Sequence, residues 1–423
     1  MSAEPRIRLR RSGPLHGEVG VPGAKNSVLK LMASTLMADG EYTLTNVPDI
    51  ADVGTMSELL AVIGVTTEVV APGTLRMVTG TSITPVAPFE LVERIRASVN
   101  LLGPLLGRFG RVSLNMPGGD DFGARPIDMH LKGLEAMGAR FEIRRDTIEG
   151  HADRLHGASI VLDFPSVGAT ENILTAAVHA DGTTTIDNAA REPEINDLCE
   201  FLVSMGARID GIGTSTLVVH GVVPGSLRPA AHATVPDRIQ AATYIAAVGV
   251  SGGEIVVRGA RADHMEMLLQ RFHKMGLSIT DLGDGLVVRA PERLTSTDVA
   301  TLPYPGVATD YKPLIVAMLS VADGVGIVTE NLYPGRFKYV EELQRLGADI
   351  RADGHHAVVR GVQELVGAEV VAPDIRAGAA LVVAGLAATG DTIVSGVHHI
   401  DRGYDDLVGR LSGLGADIER LDD

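Results

Sequence analysis

Tryptophan is absent from this 423-residue chain, aromatic residues make up 4% of it, and a single cysteine is present. A core short of rings has to be filled by aliphatic side chains. With 45% hydrophobic residues and 49 glycines, the composition is that of a soluble protein packed with Val, Leu, Ala and Ile, not of a disordered one. One cysteine excludes any disulfide within the chain. Cys199 lies in "EINDLCEFLVSMGA", where apolar residues recur at helical spacing, so it is expected to be a buried small hydrophobe and not a nucleophile. Basic charge is scarce as well. The 37 Lys and Arg face 53 Asp and Glu, a net charge of −16, which argues against nucleic-acid and anionic-membrane partners. An anionic ligand would have to meet a local basic cluster. Long apolar runs are also missing. The start "MSAEPRIRLRRSG" has no apolar signal segment, and no run reaches the roughly 18 residues of a membrane span. A cytoplasmic address is the expectation.

What the chain does contain is repetition. Its length suggests two or three domains, with two large ones as the starting expectation. Six related units of about 70 residues can be traced. Each carries a helix-like segment that ends in a small amphipathic signature and a glycine: Gly64, Gly138, Gly206, Gly276, Gly347 and Gly415. These glycines fit helix C-caps, where a positive φ turns the chain toward a strand. A second helix in each unit is apolar nearly all round, as in "GATENILTAAVHADG" and "DRIQAATYIAAVGVSGG", and such helices are buried. Strand-like runs such as "GEYTLTNV", "GTTTIDNA", "GEIVVRGA" and "GDTIVSGV" follow several of them. The expected fold is α/β, with six units around buried helices, three per half.

Polar residues gather where the buried helices begin. Lys25 and Asn26 open the first, Arg94 and Arg96 the second, and Ser166, Gly168 and Glu171 the third. Asp237 and Arg238 open the fourth, Thr309 and Asp310 the fifth, and Asp374 and Arg376 the sixth. Capping explains any one of these. Six together suggest more, because helix N-termini carry unpaired N–H groups and a partial positive charge, and several of them make an anion site. In an acidic chain this points to a phosphorylated or carboxylated small molecule.

Other dense spots stand apart from the helix starts. "NAAREPEINDL" gathers Arg191, Glu192, Glu194 and Asp197 and also reads as a capped helix with an exposed acidic first turn. "YPGRFKYVEEL" and "HHIDRGYDDL" bring Arg336 and Arg402 into turns. "PGGDDFGARP" sets Asp120 and Asp121 on a glycine-rich stretch before Arg125; ordinary turn chemistry accounts for the glycines and aspartates.

In order along the chain, "GAKNSVLKLMA", "PGGDDFGARPIDMH", "FPSVGATENIL", "NAAREPEI", "PDRI", "TDYKP", "GRF", "DIRAGAALV" and "HIDRGY" resemble the enolpyruvyl transferases, in the branch that acts on UDP-N-acetylglucosamine. The resemblance runs from about residue 10 to the C-terminus. It implies a two-domain inside-out α/β barrel: an N-terminal domain over 24–235 carrying a mobile loop, a second domain of the same repeat from 1–23 and 236–423, and an active site in the cleft between them. The implied activity moves the enolpyruvyl group of phosphoenolpyruvate to the 3-hydroxyl of the sugar with release of phosphate, the first committed step of peptidoglycan synthesis. Neither metal nor organic cofactor is implied.

By the same resemblance, Lys25, Arg125 and Arg402 hold the phosphate of phosphoenolpyruvate, Arg336 and Arg376 its carboxylate, and Asn26 joins that site. The nucleotide sugar falls to Asn26, Arg96, Arg125, Pro126, Ile127, Asp128, Met129, Ser166, Val167, Gly168, Asp310 and Leu332. Asp310 is general base or orienting acceptor. Asp374, with Glu192 or Glu194, supports the site. Asp120 stands where the commonest family members have a cysteine that protonates C3 and is trapped by the epoxide antibiotic fosfomycin; some members have aspartate there. Asp120 is therefore the candidate acid, its pKa raised in a closed site by desolvation or by Asp121, and resistance to fosfomycin follows. Gly118, Gly119 and Gly123 would let this loop close.

Two departures stand out: the paired acids at 120 and 121, and Phe164 where many relatives place a lysine. They leave two other readings open. One is a paralogue that uses a different uridine nucleotide as acceptor. The other is a non-catalytic nucleotide-sugar sensor, against which the full set Lys25, Arg125, Asp310, Arg336, Arg376 and Arg402 argues. The sequence is silent on oligomeric state.

Overall fold

The computed structural model describes residues 4–119 and 126–421. These divide into two compact units, one of residues 4–22 with 236–421 and the other of residues 23–119 with 126–235. Each unit has its own hydrophobic core, and no residue belongs to both.

Six helices occupy the centres of these cores: α1 (Lys25–Ser34), α2 (Leu102–Phe109) and α3 (Val167–Val178) in one unit, α4 (Arg238–Ser251), α5 (Lys312–Leu319) and α6 (Ile375–Gly385) in the other. Every residue of α5 and α6 is buried, as expected of helices apolar on all sides. The second and fifth expected helices differ at their starts. Arg96–Leu101 and Thr309–Tyr311 form 3-10 turns before α2 and α5 begin. Pro104 and Pro313 are the reason: each lacks the N–H that would bond four residues back, so the first turn tightens. Close packing shows at Gly103, where an added Cβ would lie 2.1 Å from Thr175 Oγ1 of α3. Only glycine allows α2 and α3 to approach this closely.

Around the helices, the described strands form six four-stranded sheets of one pattern plus a two-stranded pair. In Val86–Ala87, Arg111–Asn115, Thr147–His151 and Arg140–Arg144, the first two strands run parallel and the remaining pairs antiparallel. The parallel pair is joined through the buried helix, the usual crossover, and the antiparallel strands through a hairpin. Burial alternates along many strands, with one face on the helices and the other toward solvent.

Two sheets take strands from far away in sequence. Leu15–Gly20 pairs in parallel with Gly253–Arg258, and Ala231–Ala233 with Gly40–Thr45. A third is completed by Arg6–Leu9, which lies between Thr392–Ser395 and Ile418–Leu421. Inside each module, the amphipathic helix ends as the repeat requires. Gly64, Gly138, Gly206, Gly276, Gly347 and Gly415 all have positive φ. After five of them the next N–H reaches back to close a Schellman motif, for example Ala207 N to Leu202 O at 2.9 Å.

Candidate active site

In the unit of residues 236–421, the starts of α4, α5 and α6 bring charged groups together. Asp310, in the 3-10 turn before α5, receives Arg336 Nη1 at 2.8 Å on one carboxylate oxygen and Arg376 Nε at 3.2 Å on the other. Arg376 is the second residue of α6 and Arg336 sits in the turn before helix Val340–Arg345; both are buried. Burial by itself would raise the Asp310 carboxyl, but the two guanidiniums outweigh it and hold the group below the ordinary carboxylate range. In return, burial works against the charge on Arg336 and Arg376, and Asp310 overrides it and keeps both cationic.

Asp374 caps α6, accepting from Arg376 N at 2.8 Å and Ala377 N at 3.0 Å, and thereby fixes the turn that carries Arg376. Asp237 does the same for α4, and Arg238 donates to the Tyr311 hydroxyl at 3.0 Å. The Arg376 guanidinium lies over the Tyr404 ring at 5.5 Å. Arg402 is half-buried between helices Val397–Asp401 and Leu407–Gly413, two residues from Tyr404, and Leu332 is half-buried on the loop leading to Arg336. The structure thus joins Asp310, Arg336 and Arg376 directly, with Asp374 as their support.

Beneath them lies an ion pair that sequence reading passed over. Lys312 and Glu330 are both fully buried and meet at 2.9 Å. The signal was a lysine inside the apolar "TDYKPLIVAML", and the resemblance gave it no role.

In the unit of residues 23–235, Lys25 opens α1 and pairs with Asp52 at 2.9 Å, while Asn26 beside it is half-buried and its carbonyl accepts Lys30 Nζ at 2.7 Å. Arg96 opens the 3-10 turn that packs against α1 and donates to Pro117 O at 3.2 Å. Ser166 caps α3 through Ala169 N at 3.3 Å, with Val167 and Gly168 in the first turn. Pro126 and Asp128 are exposed, Ile127 is buried and Met129 half-buried at the start of helix Asp128–Ala136. On the same helix, buried His130 meets Asn172 of α3 at 2.8 Å; burial pushes its pKa down to about 4, so it is neutral.

The expected exposed acidic turn at 192–198 is corrected. Glu192 is half-buried at the helix cap, and Glu194 and Asp197 are buried. The helix end packs on α1, and Asp197 accepts from Ser27 Oγ, from His232 Nε2 at 2.8 Å and from Val235 N at 3.2 Å. These bonds offset part of the cost of burying the carboxylate. Cys199 is buried as expected, and its thiol is pushed up to about 12 by burial. Asp120, Asp121, Gly123 and Arg125 lie outside the described residues.

The cluster of a carboxylate between two arginines offers hydrogen-bond acceptance to a hydroxyl and bidentate donors to a ligand carboxylate. Comparison with known proteins shows the family. The family model for EPSP synthase (3-phosphoshikimate 1-carboxyvinyltransferase) matches residues 9–411. A UDP-N-acetylglucosamine 1-carboxyvinyltransferase of Mycobacterium leprae is 50% identical over 408 residues, covering 96% of this chain and 97% of that protein. Another, of Granulibacter bethesdensis, is 47% identical over 98% of this chain and 99% of that one. Among solved structures, the enolpyruvyl transferase NikO from Streptomyces tendae superposes with a TM-score of 0.90 at 25% identity over 99% of both chains. EPSP synthase from Acinetobacter baumannii, at 17% identity and a TM-score of 0.77, shares the fold. With a family match along nearly its whole length and half-identical relatives, this chain belongs to the EPSP synthase family of enolpyruvyl (carboxyvinyl) transferases.

Proposed function

We propose that the protein transfers the enolpyruvyl group of phosphoenolpyruvate to the 3-hydroxyl of UDP-N-acetylglucosamine, releasing phosphate, as the committing step of peptidoglycan synthesis in the cytoplasm. The observation that carries this reading is the 50% identity, over 96% of the chain, to proteins named for that reaction. The Asp310–Arg336–Arg376 cluster supports it with the groups the chemistry needs.

In the reaction, the sugar oxygen adds to C2 of phosphoenolpyruvate while C3 takes up a proton, and loss of phosphate from C2 together with a proton from C3 restores the double bond. Arg336 and Arg376 bind the substrate carboxylate. Lys25, Arg125 and Arg402 take the phosphate, with Asn26 beside them. Asp310, kept ionised by its arginines, orients the 3-hydroxyl or removes its proton. Arg96, residues 126–129, the first turn of α3 at Ser166–Gly168 and Leu332 hold the nucleotide sugar, the helix start offering N–H groups to the diphosphate. Asp120 delivers the proton to C3.

Phosphate release from phosphoenolpyruvate by the purified protein, with and without UDP-N-acetylglucosamine, tests the reaction. Release that needs the nucleotide sugar is expected. Release only with another uridine nucleotide would assign the paralogue reading, and none with any acceptor would leave a binding protein. Two variants of the assay address the acid. Asp120→Ala is expected to lower turnover at least 100-fold, as removal of a general acid does, while calorimetric affinity for the nucleotide sugar stays nearly constant. Fosfomycin should leave activity intact, since the only thiol, Cys199, is buried and protonated. Time-dependent inactivation with a protein adduct would refute this.

A further inference from the structure

Two opposite charges with no exposure at all are costly to keep inside a protein, and an apolar pair of similar shape is often as stable. Lys312 and Glu330 therefore call for a reason beyond stability, and their contacts supply one. The Glu330 carboxylate accepts Thr301 Oγ1 at 2.7 Å, Leu332 N at 2.8 Å and Tyr333 N at 3.1 Å on one oxygen. Its other oxygen accepts Thr309 Oγ1 at 2.7 Å and meets Lys312. Lys312 Nζ in turn donates to the Arg336 carbonyl oxygen and lies 3.9 Å from the centre of the Phe337 ring.

Arg336 is thus tied to the pair at both ends. Its backbone is held by Lys312, and its guanidinium reaches Thr309 Oγ1 at 3.1 Å, the hydroxyl that Glu330 itself orients. The loop that leads to Arg336 is folded over the same carboxylate through two main-chain N–H groups. A hydrophobic pair could fill this volume but could anchor neither end.

We propose that Lys312 and Glu330 are positioning residues that lock the Arg336 guanidinium against Asp310 for capture of the phosphoenolpyruvate carboxylate. The inference rests on the enolpyruvyl-transfer reading above for the ligand, and on the structure for the locking. Burial pulls the Lys312 ammonium down to about 8 against the pull of Glu330, so its charge depends on that partner.

The test uses Lys312→Met, and Lys312→Met with Glu330→Gln, in the full chain. The double variant leaves no unpaired buried charge and keeps an acceptor for Leu332 N and Tyr333 N, so it remains folded where the single variant fails. Steady-state kinetics should show KM for phosphoenolpyruvate raised at least tenfold, with KM for UDP-N-acetylglucosamine within twofold of wild type. A merely structural pair would lower the active fraction and move neither KM. A crystal structure of the double variant provides the readout that does not depend on activity: the Arg336–Asp310 contact should be lost or lengthened. Retention of that contact at 2.8 Å would overturn the inference even if the wild-type protein proved inactive. An unchanged KM for phosphoenolpyruvate in an active enzyme would overturn it while leaving the reaction assignment in place.

Discussion

In the proposed reaction Asp310 is the residue on which the chemistry turns, and its two arginines make its state predictable. Asp310→Asn keeps size and hydrogen bonding but removes the charge; kcat should fall by about 100-fold or more, the usual loss for a general base or an orienting carboxylate. Wild-type turnover in stopped or continuous phosphate assays would refute that role. His130 makes a second prediction, this time about stability. Its folded pKa is depressed to about 4, so between about 4 and the ordinary 6.5 the unfolded chain binds a proton that the folded one does not. Its contribution is complete above pH 6.5 and declines as pH falls toward 4, by on the order of 3 kcal/mol. Urea unfolding of His130→Gln between pH 4 and 7 should show a shallower pH slope than wild type. The residue types of the site were legible in the sequence because Arg336, Arg376 and Asp310 each stand in a short motif at a helix start. Lys312 with Glu330 was not legible. The pair joins the start of α5 to the residue after the following strand, Val325–Thr329, and nothing local in "VTENLYPG" marks Glu330 as buried.

Among the elements, the glycine that ends each amphipathic helix carries the clearest sequence signal. At Gly347, φ is +88° and an added Cβ would meet nothing within 4 Å. Gly347→Ala isolates the cost of the left-handed conformation, about 1–2 kcal/mol, read as a lower urea midpoint with unchanged slope. The periodicity of the buried helices was equally legible, since apolar residues on every side leave a helix no exposed face. Their 3-10 beginnings were not, because they depend on which carbonyl loses its partner at Pro104 and Pro313. Nor was burial of the acidic turn at 194–197. That turn is exposed or enclosed according to what packs on it, and α1 comes from more than 160 residues earlier, as the Ser27–Asp197 bond records.

For the whole molecule, six modules could be counted from sequence, but the source of their first strands could not. Pairing of Leu15–Gly20 with Gly253–Arg258, or of Arg6–Leu9 with Ile418–Leu421, leaves no trace at short range. These pairings set an expectation for fragments. Residues 23–235 produced alone should unfold cooperatively in urea, since they contain a whole core and every strand of three sheets. Residues 236–423 alone should not, lacking two strands, unless a peptide of residues 1–22 is added. A cooperative transition without the peptide would show those strands to be dispensable. During synthesis the same arrangement imposes a schedule. The ribosome makes Leu15–Gly20 long before its neighbour Gly253–Arg258, and Arg6–Leu9 longer still before Thr392–Ser395 and Ile418–Leu421. Residues 23–235 can finish folding while these two strands wait, their unpaired edges open to chaperones or to misassembly until their partners are made.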